Sequence, residues 1–338
     1  MTVRIAVDVM GGDNAPNAPL DGAIQAMQEN DDIEIVLFGE KHLIDNHLDK
    51  KNIVNIKDRI HIDNTTEVIT NDDNPTKAIK EKNDSSLIKA MVAVKNGEVD
   101  AMVSSGNTGA FMAGGLLKVG RLAKIKRPAL APVFPTFDGK GTIVLDVGAT
   151  MDPKPENLKD FAIMGSLYVE KVLKRDLPKV GLINVGEEAS KGNQLVKESY
   201  ELLQTTGINF QGNIEARELL SGKVDVAVCE GFLGNVLLKF MEGFGKDMFN
   251  TMKNEFTSSL TGQLGAMLLK PNLKNLKNRF DYSEYGGAPF LGINGILVKS
   301  HGSSDDLAIK NAINKQSYHL AKENILTAFS EEIMKGVE

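Results

Sequence analysis

Apolar positions along the chain change period in a regular way. Val3, Ile5 and Val7 alternate with their neighbours, as do Ile33, Ile35 and Leu37, and Val99, Ala101 and Val103. A period of two marks a strand with one face buried, whereas apolar residues at i, i+3, i+4 and i+7 mark a helix. On that basis strands are predicted near 3–9, 33–38, 60–62, 99–104, 129–133, 142–146, 180–184, 224–229 and 293–299. Helices are predicted near 17–29, 41–50, 75–96, 108–118, 155–174, 193–206, 233–254, 258–269 and 304–334. Regular alternation of the two implies an α/β fold, Rossmann-like and three-layered, with a mostly parallel sheet between helices. Ligands of such sheets sit at the carboxyl ends of the strands.

The strand ends are where glycine gathers. Val103 is followed by Ser104-Ser105-Gly106-Asn107-Thr108-Gly109 and then by small residues that open a helix. A strand that breaks into such a loop and feeds a helix offers backbone N–H groups to an anion. Neither a Walker lysine nor a G-x-G-x-x-G pattern is present here. The stretch GEVDAMVSSGNTG (97–109) aligns without gaps on GKVDVAVCEGFLG (222–234). Two readings stand: ordinary glycine corners of strand–helix units, or two related units facing one cleft.

Composition narrows the class. The chain has 338 residues, 42% hydrophobic and 25% charged, as expected of a globular α/β unit spanning 1–338, either as one body or as two lobes around one cleft. One cysteine, Cys229, rules out a disulfide framework and suits a reducing cytoplasm. The first strand begins too early to leave room for a leader, and no apolar run spans a bilayer. Net charge is −6, against general nucleic-acid binding. The balance is uneven. Within 251–280, Lys253, Lys270, Lys274, Lys277 and Arg279 face Glu255 alone, a net +4 that leaves −10 for the rest. A second basic run is Lys118, Arg121, Lys124, Lys126 and Arg127.

Seven ordered stretches together resemble one family. They are DVMGGDNAP (8–16), VSSGNTGAFMAGG (103–115), RPALAP (127–132), LDVGATMDPKPENLKDFAIMG (145–165), LINVGEEASKGNQL (182–195), FQGNIEARELLSGKVDVAVCEGFLGNVLLKFMEG (210–243) and EYGGAPFLGINGILVKSHGSSD (284–305). The chain is similar to the PlsX-type phosphate acyltransferases of bacterial phospholipid synthesis from residue 3 to about 335. The resemblance implies transfer of a fatty acyl group from acyl carrier protein to inorganic phosphate. A membrane glycerol-3-phosphate acyltransferase then consumes the acyl phosphate. It also implies a fold like that of isocitrate and isopropylmalate dehydrogenases and phosphotransacetylases, a homodimer, and no cofactor. The family usually has Asn where Thr150 stands and Asp where Glu230 stands; both replacements keep oxygen chemistry.

That reaction asks for anion binding, alignment and oxyanion donors rather than strong acids or bases. Phosphate is expected at Ser105, Gly106, Asn107, Thr108 and Gly109, with Gly12 and Asp13 opening onto the same cleft. His301, Lys191 and Asn235 are the candidate catalytic residues: an imidazole for the leaving thiolate, a cation for phosphate, an amide for the thioester arm. Asp8 and Asp13 have no His or carboxylate cluster around them, so no metal is expected, and Cys229 reads as a small core residue. Arg121, Lys124, Lys126 and Arg127 are expected to receive the acidic carrier protein. In 251–280, Leu260, Leu264, Met267 and Leu268 repeat at helical spacing, Pro271 is expected to break the helix, and Leu273, Leu276 and Phe280 follow. A basic amphipathic hairpin there would touch an anionic membrane, giving a cytoplasmic, peripherally attached protein; packing against the body or a second copy is the other reading. Two other functions compete: a nicotinamide-dependent dehydrogenase of the related fold, which lacks its fingerprint here, and a non-catalytic carrier-protein or membrane docking module.

Overall fold

The computed structural model describes residues 2–280 and 282–335, and the side chain of Lys277, one of the basic residues above, lies outside the described ones. In chain order the first elements are β1 (Val3–Asp8), α1 (Asn17–Glu29), β2 (Ile33–Gly39), α2 (Lys41–Leu48) and β3 (Ile60–Asn64). Next come α3 (Pro75–Glu81), α4 (Ser86–Asn96), β4 (Ala101–Ser104) and α5 (Thr108–Gly114), which runs on as a π-turn over Gly115–Val119. The middle of the chain holds β5 (Ala129–Leu130), β6 (Val133–Phe134), β7 (Thr142–Leu145), α6 (Pro155–Lys171), β8 (Val180–Asn184), α7 (Gln194–Gln204), β9 (Phe210–Glu215) and β10 (Val226–Val228). Two long helices, α8 (Gly231–Thr257) and α9 (Leu260–Phe280), precede β11 (Ala288–Leu291), β12 (Ile296–Lys299), α10 (Asp306–Asn311), α11 (Tyr318–Lys322) and α12 (Ile325–Lys335).

The strands form two sheets, in the orders β3-β2-β1-β4-β12-β11-β5 and β6-β7-β10-β8-β9. All pairings are parallel except those of β11 with β12 and β5, and of β6 with β7. The predicted strand at 129–133 is the crossing between them. Ala129 and Leu130 pair with β11 in the first sheet, and Val133 and Phe134 pair with β7 in the second. Pro132 separates the two because proline has no N–H for a ladder. One cluster of buried side chains runs beneath both sheets, including Ile5, Ile35, Leu145 and Val228. Each large aliphatic chain so buried contributes about 2 kcal/mol.

Other departures from the predicted elements have local causes. The helix predicted over 75–96 is two, because Asp84 between them turns its carboxylate to Thr66, taking its N–H at 2.9 Å and its hydroxyl at 2.5 Å. The β9 and β11 segments, FQGNIE and APFL, carry glycine or proline in or beside short runs and give no clean period. Pro271 does not end its helix: α9 continues through it to Phe280. A proline frees the carbonyl four residues earlier, here that of Met267, a residue 70% exposed, so water can satisfy it.

Candidate active site

Strands β1, β4 and β12 are neighbours in the first sheet, so their carboxyl ends bring three loops together. At the end of β1, the Asp8 carboxylate accepts from Ser86 Oγ at 2.5 Å and Ser104 Oγ at 2.7 Å. Burial still pushes its pKa above the usual carboxylate range. The loop after β1 then closes on the other two. A Cβ on Gly11 would lie 2.7 Å from the Gly106 nitrogen, and one on Gly12 would lie 2.6 Å from Ser105 Oγ and 3.0 Å from the Gly302 carbonyl. Gly12 also has φ +95°, so this approach requires glycine twice over. Asp13 donates its N–H to Gly302 O at 2.8 Å, and Asn14 Nδ2 donates to the carbonyls of Ser303 and Ser304 at 3.1 and 3.0 Å.

Of the expected phosphate residues, Gly12, Asp13, Ser105 and Gly106 therefore meet at one place, together with the loop that carries His301. Ser105 Oγ donates to the Gly11 carbonyl at 2.7 Å, and the Gly106 N–H donates to Ser104 Oγ at 3.0 Å. The Asn107 side chain is engaged within the fold at both ends. Its oxygen accepts from the Ala110 N–H at 2.9 Å as the cap of α5, and its nitrogen donates to the Thr70 carbonyl at 3.0 Å. Thr108 is exposed in the first turn of α5, and Gly109 packs on Pro75.

His301 meets helix α8. Its Nδ1 accepts from the Ser303 N–H at 3.2 Å, and its Nε2 lies 3.9 Å from Glu242, which pairs with Lys239 at 2.7 Å. Burial lowers the imidazole pKa below its ordinary value. Two residues earlier stands a side chain that the sequence reading passed over. Lys299, the last residue of β12, is 6% exposed, and burial pulls its pKa down to about 8. The signal was there: a lysine closing an otherwise apolar strand, ILVK.

The second sheet repeats the device. At the end of β7, the Asp146 carboxylate accepts four backbone N–H groups, from Leu130 at 2.8 Å, Gly148 at 3.2 Å, Ala149 at 3.1 Å and Thr150 at 2.6 Å. Burial pushes it up to about 6. The start of α8 lies on this turn: a Cβ on Gly234 would be 1.9 Å from the Asp146 carbonyl. Glu230 caps α8, accepting from Phe232 N–H at 2.6 Å and Leu233 N–H at 2.8 Å. Asn235 lies over Gly148, a Cβ on which would be 3.7 Å away, and its amide makes no hydrogen bond among the described residues. Lys191 is exposed on the loop after β8, where its carbonyl accepts from Asn184 Nδ2 at 3.1 Å. So Lys191 and Asn235 belong to the second set of strand ends and His301 to the first. Helix α8 links them, since it starts beside Asp146 and carries Lys239 and Glu242 to His301.

The internal echo is matched in space. Gly97 and Gly222 both end a helix with left-handed φ, +70° and +74°. Asp100 then accepts the Arg4 N–H at 2.7 Å and Asp225 the Lys179 N–H at 2.9 Å. Gly106 packs on Asp8 and Gly231 on Asp146. Elsewhere, Arg121, Lys124, Lys126 and Arg127 are exposed on the single loop before β5, with Leu122 and Ile125 tucked beneath. Leu260, Leu264, Met267 and Leu268 are 80%, 62%, 70% and 81% exposed on α9. No helix among the described residues is long and apolar enough to cross a membrane.

A family model described as "Fatty acid synthesis protein" matches residues 3–327. The chain belongs to this family. A relative from Brevibacillus brevis, named phosphate acyltransferase, is 50% identical over 311 residues, 92% of each chain. Phosphate acyltransferases from Alkaliphilus oremlandii and Clostridium tetani are 48% and 47% identical, covering 98% of this chain and 97% and 98% of theirs. This member of the family is thus an acyltransferase, and the dehydrogenase and docking readings give way to it. In fold it is similar to the EutD phosphotransacetylase of Staphylococcus aureus, with TM-score 0.61 at 15% identity over 95% of this chain and 94% of that one. A phosphotransacetylase of Streptococcus pyogenes matches with TM-score 0.58 at 14% identity, covering 98% and 94%.

Proposed function

We propose that this enzyme transfers a fatty acyl group from acyl carrier protein to inorganic phosphate, by direct attack of a phosphate oxygen on the thioester carbon. The observation that carries the reading is the near-half identity to phosphate acyltransferases along almost the whole chain. The chemistry suits the two sets of strand ends. Phosphate is partly dianionic near neutral pH, and the leaving thiol has a reference pKa of about 8.5, so positioning and charge do most of the catalysis. Phosphate lies with Gly12, Asp13, Ser105 and Gly106, and the thioester arm lies by Asn235 and Lys191. His301 relays to the departing sulfur the proton that the attacking hydrogen phosphate gives up. The bond from phosphate oxygen to carbon forms as the carbon–sulfur bond breaks, and the products are acyl phosphate and free carrier protein.

The test is to incubate the protein with acyl-loaded carrier protein, with and without phosphate, and to follow the carrier by mass spectrometry. Phosphate-dependent loss of the acyl group is expected; no loss with folded protein would overturn the reading. The exposed cations of the 121–127 loop are the proposed seat of the acidic carrier. The double change R121E/K124E is expected to raise the carrier KM about tenfold or more while leaving the phosphate KM unchanged. An unmoved carrier KM would place the carrier elsewhere. Peripheral attachment to an anionic membrane through α9, and pairing with a second copy through α8, complete the reading. They bring the acyl phosphate near the membrane glycerol-3-phosphate acyltransferase that would use it.

A further inference from the structure

Asp8, Ser104 and Lys299 form one row across the carboxyl ends of β1, β4 and β12. Lys299 stands in register with Ser104, and the Ser104 hydroxyl donates to Asp8 at 2.7 Å. Residues opposite one another in paired strands project from the same face of a sheet. Lys299 is therefore an almost wholly buried ammonium on the floor of the place where loops 10–13, 104–106 and 301–302 close together. A lysine carries three N–H donors. Among the described residues Lys299 Nζ makes one hydrogen bond, to the Ser300 carbonyl.

A buried cation needs an anion to offset its lost hydration. The charges that face Lys299 are Asp8 from β1, Asp13 from the loop after it and Lys239 from α8. His301 lies beside it, with Glu242 behind on α8. Glu242 is paired with Lys239 at 2.7 Å. The Asp8 oxygens accept from Ser86 and Ser104, and burial itself favours the protonated form of that carboxyl. Lys299 is thus the cation of this cluster with donors still to give.

We propose that Lys299 holds the oxygens of inorganic phosphate in this cleft and supplies the positive charge that the site needs. The inference rests on phosphate being the acyl acceptor. Burial sets the ammonium to lose its proton at about pH 8, so phosphate affinity falls as pH climbs past that value. Bound dianion raises the same pKa, as linkage requires, so the fall begins higher in the complex.

The experiment measures phosphate KM and carrier KM from about pH 6.5 to about 9.5 for the native enzyme, K299Q and K299R. In the native enzyme, phosphate KM is expected to climb above about pH 8. K299Q is expected to raise it about tenfold or more at neutral pH, with the carrier KM within about twofold. K299R keeps its charge across the range, so its phosphate KM stays flat where the native value climbs. Unchanged phosphate KM in K299Q, or equal shifts in both KM values, overturns the proposal. If K299Q does not fold, K299R decides, and a native-like alkaline climb overturns it. Binding of inorganic phosphate, read by phosphorus NMR line broadening, separates this idea from the reaction. A native protein that binds phosphate through Lys299 but never deacylates the carrier keeps the site and loses the proposed function.

Discussion

Cys229 directly follows β10, with its thiol donating to the Asp146 carbonyl at 3.5 Å, and burial raises the thiol pKa well above its ordinary value. A thiol kept protonated is a poor nucleophile. Cys229→Ala is therefore expected to retain turnover within about threefold, measured as phosphate-dependent carrier deacylation. A loss beyond a hundredfold with normal folding would point to an acyl-enzyme and end the direct-attack mechanism. Thr150 and Glu230 have plain local roles. Thr150 Oγ donates to the Pro128 carbonyl at 3.0 Å, tying the turn after β7 to the crossing strand. Glu230 serves as a helix cap. Single residues were legible in the sequence where backbone geometry fixes them, as with Gly11 and Gly12. They were not where partners come from afar: the Asn107 side-chain nitrogen is held by the Thr70 carbonyl, and Lys299 by its place beside β4.

At the scale of elements, α8 depends on how it starts. Its first turn is capped by both oxygens of Glu230, through Phe232 N–H and Leu233 N–H, and seats on the Asp146 turn. Glu230→Ala removes both acceptors and is expected to cost about 1–2 kcal/mol of stability, read as a lower thermal midpoint. Glu230→Asp keeps an acceptor and should stay close to native. An alanine variant as stable as the native chain would mean that tertiary contacts alone hold this helix end. The repeated strand–glycine–helix unit was visible in the sequence because its glycines and its Asp100 and Asp225 recur at one spacing. The buried carboxylates that complete each unit, Asp8 and Asp146, come from strands far away in the chain, and only sheet order shows them to be equivalent. The long passage of α9 through Pro271 was hidden for the opposite reason. Proline reads as a breaker, yet an exposed helix can leave the freed carbonyl to water.

Across the whole molecule, apolar surface concentrates on α8 and α9. Phe232, Val236, Phe240 and Phe244 recur every four residues along one face of α8 and are 66%, 48%, 66% and 56% exposed. Monomeric proteins rarely leave such a stripe in water. F240E/F244E is expected to halve the sedimenting mass if this face meets a second copy; an unchanged mass would remove that role. On α9 the exposed Leu264 and Leu268 lie in a segment rich in lysine. L264E/L268E is expected to abolish sedimentation with anionic vesicles while sparing turnover in solution. Undiminished vesicle binding would sink the membrane reading. By itself the sequence determined the α/β class, the succession of most strands and helices, the glycine loops and the family, because these rest on local periodicity and short motifs. Only the tertiary structure decided that there are two sheets, that β1, β4 and β12 end side by side, and that a buried lysine lies among their loops. Strand order arises from contacts between residues as far apart as Ser104 and Lys299, and a local pattern carries no record of them.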